Sequence, residues 1–242
     1  MLKPLQVRLA SLIMRNSSLS LLVLGAITLF FAVGLQFVEL RTIFSDLLPK
    51  NHPFVETYSD HPNFGNPLTV TIMVKNKEGS IYNADTLAKV WDITRDIDLA
   101  PGVDHDQILS IATEKARYSE ATPFGIESQP LMGDSAPVTS QEMMDFRQKV
   151  KKAPNARAFL ISQDETATLI TATFIERLVD YGELFEYVQN LVESERDAKH
   201  EIHVAGQPML SGWVYSHQAA MLGIFAITII ALIFSLMIYM SN

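Results

Sequence analysis

Histidine sits among acidic residues twice in this chain, as Asp104-His105-Asp106 and as His200-Glu201-Ile202-His203. Both sets have the residue types on which metal sites often draw. Their settings argue against it. The first lies beside the turn formers Pro101-Gly102, and in the second a strand would send His200 and His203 to opposite faces, since only a helix aligns residues at i, i+3. His52 and His61 each precede a proline and read as solvated loop residues. No cysteine is present to serve as a nucleophile, no G-x-S-x-G occurs, and no glycine-rich phosphate loop follows a strand. The expectation is a protein without a catalytic centre, bound cofactor or metal site.

The elements around these residues point to a membrane. The chain has 242 residues, 48% of them hydrophobic, and a mean hydropathy of +0.15, which is high for a soluble globule. From Ser17 to Val38, 22 residues pass without a charge and thirteen of them are Leu, Ile, Val or Phe. Ala219 to Met240 is a second uncharged run of 22, rich in isoleucine. Each run is long enough for a spanning helix. A cleaved signal peptide is the other reading of the first run, with Ala32 and Gly34 as its small pair, but the run exceeds the ~7–15 residues of a signal core.

Charge orients the chain. Residues 1–16 carry Lys3, Arg8 and Arg15 and no acid, while residues 39–218 hold the other 16 of the 19 basic residues against all 27 acidic ones, a balance of −11. The positive-inside rule then places the amino terminus in the cytoplasm and the long middle segment across the membrane. Such an acidic segment lacks the basic footprint of a nucleic-acid partner. The resulting division is a basic amino terminus (1–16), a first membrane helix (17–38), a rigid connector (39–66), an α+β domain (67–210), and an interface with a second membrane helix (211–242).

Within the middle domain, Leu68, Val70, Ile72 and Val74 alternate with polar residues, which predicts a strand. Asn83 caps a helix with Leu87, Val90, Trp91 and Ile97 on one face, and a strand is expected at 107–112. Residues 113–138, with three prolines and two glycines, read as a long loop. Thr139 and Glu142 form a capping box for a short helix whose Lys149, Lys151 and Lys152 answer its negative end. A hairpin is expected from 158–161 and 168–174 across Gln163-Asp164-Glu165-Thr166, then a helix capped by Asp180, then a strand at 202–205. Two split β-α-β units suggest a ferredoxin-like α+β sandwich.

These features together resemble a known family. A basic amino terminus, one spanning helix, Phe44-Ser45-Asp46-Leu47-Leu48-Pro49 with His52-Pro53 behind it, two α/β units, then Val204-Ala205-Gly206-Gln207-Pro208 and a second spanning helix look like the start of a resistance-nodulation-division (RND) permease. The chain is most similar to its MMPL-like predicted exporters of lipids and hydrophobic compounds. The resemblance implies a bacterial inner-membrane protein with a periplasmic porter domain that opens and closes as membrane helices rearrange. It makes Asp46, Leu47, Leu48, Pro49, Pro53, Gly206 and Pro208 the structural junctions through which motion passes, since Pro49 and Pro53 fix φ and bias Leu48 and His52 toward extended backbone.

The resemblance also implies partners: further membrane helices and a second periplasmic domain of the same polypeptide, membrane lipid and a hydrophobic substrate, with homo-oligomerisation left open. Docking to an outer-membrane channel is not expected. Family members energise export with carboxylates on a central membrane helix, whereas both apolar runs here lack Asp, Glu, Lys, Arg and His. The chain is therefore expected to be an amino-terminal portion that does not pump alone. Ala219, Gly223 and Ala226 form a small-residue stripe on the second helix, suited to close packing. A two-helix receptor with an extracytoplasmic sensing domain shares this topology and stands as the alternative.

Overall fold

The structure is a computed structural model that describes residues 15–35, 52–60 and 68–241. The chain divides into two units, residues 1–60 and 61–242. The first contains α1 (Ser17–Leu35) and α2 (Pro53–Asp60). Helix α1 has no charge, and its large apolar side chains, among them the edge-to-face pair Phe30 and Phe31, are exposed. Its described apolar core, Ser18–Gly34, falls short of the ~20 residues of a span within the described residues. Residues 36–38 of the expected span lie outside the described residues. The connector expected at 39–66 is helical where it is described: Pro53 occupies the first helical position, where its missing N–H costs nothing and its φ is already set, and the Glu56 N–H closes the first turn on the His52 carbonyl at 3.1 Å.

The second unit holds a four-stranded sheet of order β2-β5-β1-β6, formed by β1 (Thr69–Asn76), β2 (Val103–Leu109), β5 (Ala167–Phe174) and β6 (His200–Ala205). Every neighbouring pair is antiparallel. Strand β1 obeys the alternation in its sequence, with Val70, Ile72 and Val74 buried and Thr69, Thr71 and Met73 half-buried. Helix α3 (Ala84–Ile97) begins at Asn83, whose side chain accepts from the Thr86 N–H at 2.8 Å, and it packs on β1 and β5. Ile93, not the half-exposed Trp91, completes its buried face with Leu87, Val90 and Ile97.

Three sequence expectations are corrected. Strand β2 starts at Val103 instead of Gln107, because the pairing slips between Val103 and Ile108 and the polar Asp104-His105-Asp106-Gln107 bulges from the ladder. The supposed loop at 113–138 contains a two-stranded hairpin, β3 (Arg117–Thr122) and β4 (Gly125–Pro130), paired only with each other. Most of its side chains are exposed on both faces, so no apolar alternation marks it. Lys152 pairs with Glu120 at 2.8 Å and Lys149 lies over the Tyr118 ring, so these lysines tie the helix that follows to the hairpin besides answering its dipole.

The third correction concerns residues 158–161. They belong mainly to helix α5 (Pro154–Leu160), and only Ile161 makes a single bridge to Thr168. Pro154 starts that helix and Ala156, Arg157 and Ala158 favour it, which outweighs the β-like look of Phe159 to Ile161. Before it runs α4 (Ser140–Lys151), whose capping box is present in full, with Thr139 accepting from the Glu142 N–H and Glu142 accepting from the Thr139 N–H. After β5 and a short 3-10 turn, Asp180 caps α6 (Tyr181–Ser194), which lies against α3. The unit is α+β, with its core between this sheet and these helices.

Candidate functional site

The most constrained place in the second unit is where the sheet runs into the last helix, α7 (Gln207–Ser241). Strand β6 ends at Ala205, and Gly206 takes φ +141, a backbone state that L side chains rarely adopt. A Cβ there would lie 2.3 Å from the Thr69 carbonyl oxygen and 3.1 Å from the Val70 Cα. The helix therefore leaves the sheet directly against β1. Pro208 falls in the first turn, where a missing N–H is harmless, and Pro208 and Met209 are buried.

One and a half turns on, Gly212 meets α6. A Cβ on Gly212 would stand 2.3 Å from the Phe185 Cβ and 2.4 Å from the Tyr181 carbonyl oxygen, so the two helix backbones touch. Tyr181 and Tyr215 stack beside this contact with ring centroids 6.2 Å apart. Trp213 and His217 follow at 4.5 Å. Beyond them Ala220–Tyr239 is uncharged, predominantly apolar and unburied, and among the described residues it is the one helix long and apolar enough to cross a membrane. Trp213 and Tyr215 just before that segment, and Tyr239 at its end, match the aromatic belts of a bilayer interface.

Of the residues expected from sequence, Gly206 and Pro208 come together at this junction. A Cβ at Gly223 would meet nothing within 4 Å and Ala226 is exposed, so these two positions pack against no other described element. Asp46, Leu47, Leu48 and Pro49, and the side chain of Ala219, lie outside the described residues. Gly212 was missed. Its only signal is a small residue between Ser211 and Trp213, and nothing local says that α6 faces it.

The histidine clusters separate as strand alternation requires. His200 is buried and His203 exposed. The His200 ring donates from Nδ1 to the Asp197 carboxylate, 2.8 Å from Oδ2, and its Nε2 lies 2.8 Å from Thr86 Oγ1. Thr86 Oγ1 in turn accepts from Asn83 Nδ2 at 2.8 Å. Burial by itself would raise the Asp197 carboxyl, but hydrogen bonds from the His200 ring and from the His200 and Lys199 N–H groups outweigh it and hold the group well below the usual carboxylate range. This hydroxyl, imidazole and carboxylate are in the order of a nucleophile, base and orienting group. Thr86 is 0% exposed, however, so no substrate reaches its oxygen; what the chain of bonds does is fasten β6 to the start of α3. His105 pairs instead with Asp98 at 2.7 Å, which raises its pKa.

A second polar cluster was not visible in the sequence because its members are far apart in it. Glu165, at φ +57, pairs with Arg147 at 2.6 Å and with Arg157 at 3.5 Å, and the Arg147 guanidinium stands 5.1 Å from the Tyr82 ring centre. Burial, helped by the nearby Glu165, pushes the Tyr82 hydroxyl up to about 12 against the pull of the two arginines. The cluster pins the turn before β5 onto α4 and α5. Compared with known proteins, the chain matches no family model and no curated protein.

Proposed function

We propose that the chain is the amino-terminal part of a proton-driven RND-type exporter of lipids or other hydrophobic compounds, MMPL-like in kind, and does not pump by itself. Its α+β unit is the periplasmic porter domain, of ferredoxin-like design, held between two helices of a bacterial inner membrane with the amino terminus in the cytoplasm. Its partners are further membrane helices and a second periplasmic domain of the same polypeptide, the surrounding lipid and the hydrophobic cargo.

The observation that carries this reading is the rooting of α7. A pump that couples membrane helices to an external domain needs a junction that does not absorb motion, and here one unbroken helix runs from the sheet edge through the apolar segment, with Gly206 against β1 and Gly212 against α6. The sheet order is a second support. Strands β2-β5-β1-β6, all antiparallel, with α3 between β1 and β2 and α6 between β5 and β6, are what two interleaved split β-α-β units build.

The test is export by the full polypeptide in its own cells. Deleting the gene should raise retention of a lipophilic fluorescent probe, the wild type should restore efflux, and a variant with four glycines inserted after Ala205 should reach the membrane yet fail to restore it. Efflux unchanged by deletion, or restored by the glycine-insertion variant, overturns the reading. The orientation has its own check. An impermeant thiol reagent on intact cells should label Ser80→Cys and not Ser11→Cys, and the reverse pattern refutes it.

A further inference from the structure

The α+β unit carries a cleft of about 630 Å³ between the end of β2, the start of β3 and helix α5. That is within the ~300–1,000 Å³ range of small-molecule sites. Its wall is apolar along Leu109, Ala116, Phe159 and Leu160, and its only charged lining residues are Lys115 and Arg117. In a protein of net charge −8, this is a concave surface with cations and no acid.

Both cations are held in place by neutral groups. The Lys115 ammonium donates to the Asp106 carbonyl, and the Arg117 guanidinium donates to the Ser128 carbonyl at 2.5 Å, the Ser128 hydroxyl at 3.2 Å and the Glu114 carbonyl at 3.3 Å. Neither makes an ion pair with a carboxylate among the described residues, whereas Arg147 on α4 and Arg157 on α5 are both paired with Glu165. Carbonyl acceptors fix a cation's position without cancelling its charge. The charge therefore stays available to an anion, and low-dielectric walls beside it strengthen the attraction. Ala116 between the two is buried while Lys115 and Arg117 are exposed, so they flank one side of the cleft. Phe159 presents its ring to solvent at 64% exposure, although Leu160 beside it is buried.

We propose that this cleft binds a single-chain anionic amphiphile, its carboxylate or phosphate head at Lys115 and Arg117 and its chain along Leu109, Phe159 and Leu160. The inference concerns binding and does not need the chain to be an exporter. A negative efflux result would leave it standing, and its own failure would leave the export reading intact.

Photo-crosslinking of the full chain in lipid nanodiscs tests it, with three diazirine-bearing probes: a fatty acid, a lysophosphatidate and an uncharged monoacylglycerol. Mass spectrometry should map both anionic probes to peptides containing Leu109 or Phe159, at least tenfold above the monoacylglycerol. The relative yields of the two anions tell carboxylate from phosphate preference. Lys115→Gln with Arg117→Gln should bring the anionic labelling down to the neutral level while unchanged labelling of α7 and an unchanged circular dichroism spectrum show that the chain is intact. Phe159→Ser, made separately, should lower labelling by both anions. Equal labelling by the neutral probe, labelling indifferent to the double substitution, or crosslinks confined to α7 overturns the proposal.

Discussion

Gly212 and Gly223 occupy the same helix, and the structure treats them in opposite ways. At Gly212 a single methyl would overlap the Phe185 side chain and the Tyr181 carbonyl; at Gly223 it would meet nothing within 4 Å. In the sequence it is Gly223, spaced with Ala219 and Ala226, that has the pattern of a packing stripe. The lesson is about what spacing encodes. Small residues at regular intervals permit close approach, but the presence of an approaching element is decided by tertiary topology, and among the described residues only α6 lies against α7 closely enough to require a missing Cβ. The buried root of the helix is therefore where substitution should hurt, and the apolar part where it should not.

The largest effect is expected just below the root, at Gly206→Ala. The substitution combines a backbone state that costs on the order of 1–3 kcal/mol for a non-glycine residue with an overlap against main-chain atoms of Thr69 that no rotamer can relieve, together roughly 3–5 kcal/mol. Thermal unfolding of the α+β unit in detergent should drop by roughly 6–20 °C. Gly212→Ala comes next. Overpacking against Phe185 and Tyr181 costs about 1–3 kcal/mol, and the better helix propensity of alanine returns about 1 of it. A thermal midpoint unmoved by Gly212→Ala would erase the contrast with Gly223.

What could be read beforehand follows the same division between local and tertiary information. Caps and alternation are local, so Asn83, Thr139 with Glu142, and Asp180 were found as helix starts and β1 was found by its buried valines and isoleucine. The junction was half legible: Gly206 and Pro208 break the strand pattern visibly, but Gly212 does not. The β3-β4 hairpin was hidden because, among the described residues, its strands pair only with each other and Tyr118 alone of their large side chains is buried, which leaves no apolar alternation to read; Phe124 at its tip is 97% exposed. Helix α5 was misread because Phe159, Leu160 and Ile161 look like strand residues once separated from the Pro154 that starts them. The polar run at 104–107 concealed where β2 begins, since a bulge frees residues from the alternation that identifies a strand.

The fastening of β6 to α3 sharpens the comparison from the other end of the strand that leads to Gly206. Thr86→Val keeps the shape of the side chain but leaves His200 Nε2 and Asn83 Nδ2 without their shared partner, in a site where Thr86 is fully buried. A cost of about 1–2 kcal/mol is expected, read by chemical denaturation. Asp197→Asn should cost less, under ~1 kcal/mol at neutral pH, because the carboxylate is 40% exposed and screened by solvent. Its signature is in the pH dependence. A carboxyl held below its unfolded value contributes stability that is present above the usual carboxylate range and is lost as the pH falls through the lowered pKa. The wild type should therefore keep its advantage over Asp197→Asn from pH 7 down to the usual carboxylate range and lose it progressively as the pH is lowered further toward 2, and a difference between the two denaturation midpoints that stays constant over that acid limb would show that the network contributes nothing through this charge.

The smallest effect is expected at Gly223→Leu. The site is open and faces no described residue, so the unfolding midpoint of the α+β unit should stay within the equivalent of ~0.5 kcal/mol of wild type. In a bilayer this null result would itself be informative, because a leucine on an unpacked apolar helix meets lipid, which accepts it as readily as it accepts the neighbouring isoleucines. A marked loss of stability or of membrane-inserted protein would mean that another helix packs against Gly223 there. The stripe of Ala219, Gly223 and Ala226 would then be a second docking face. The difference between the two glycines would be one of partner, with Gly212 closing on α6 of its own domain and Gly223 closing on a helix elsewhere.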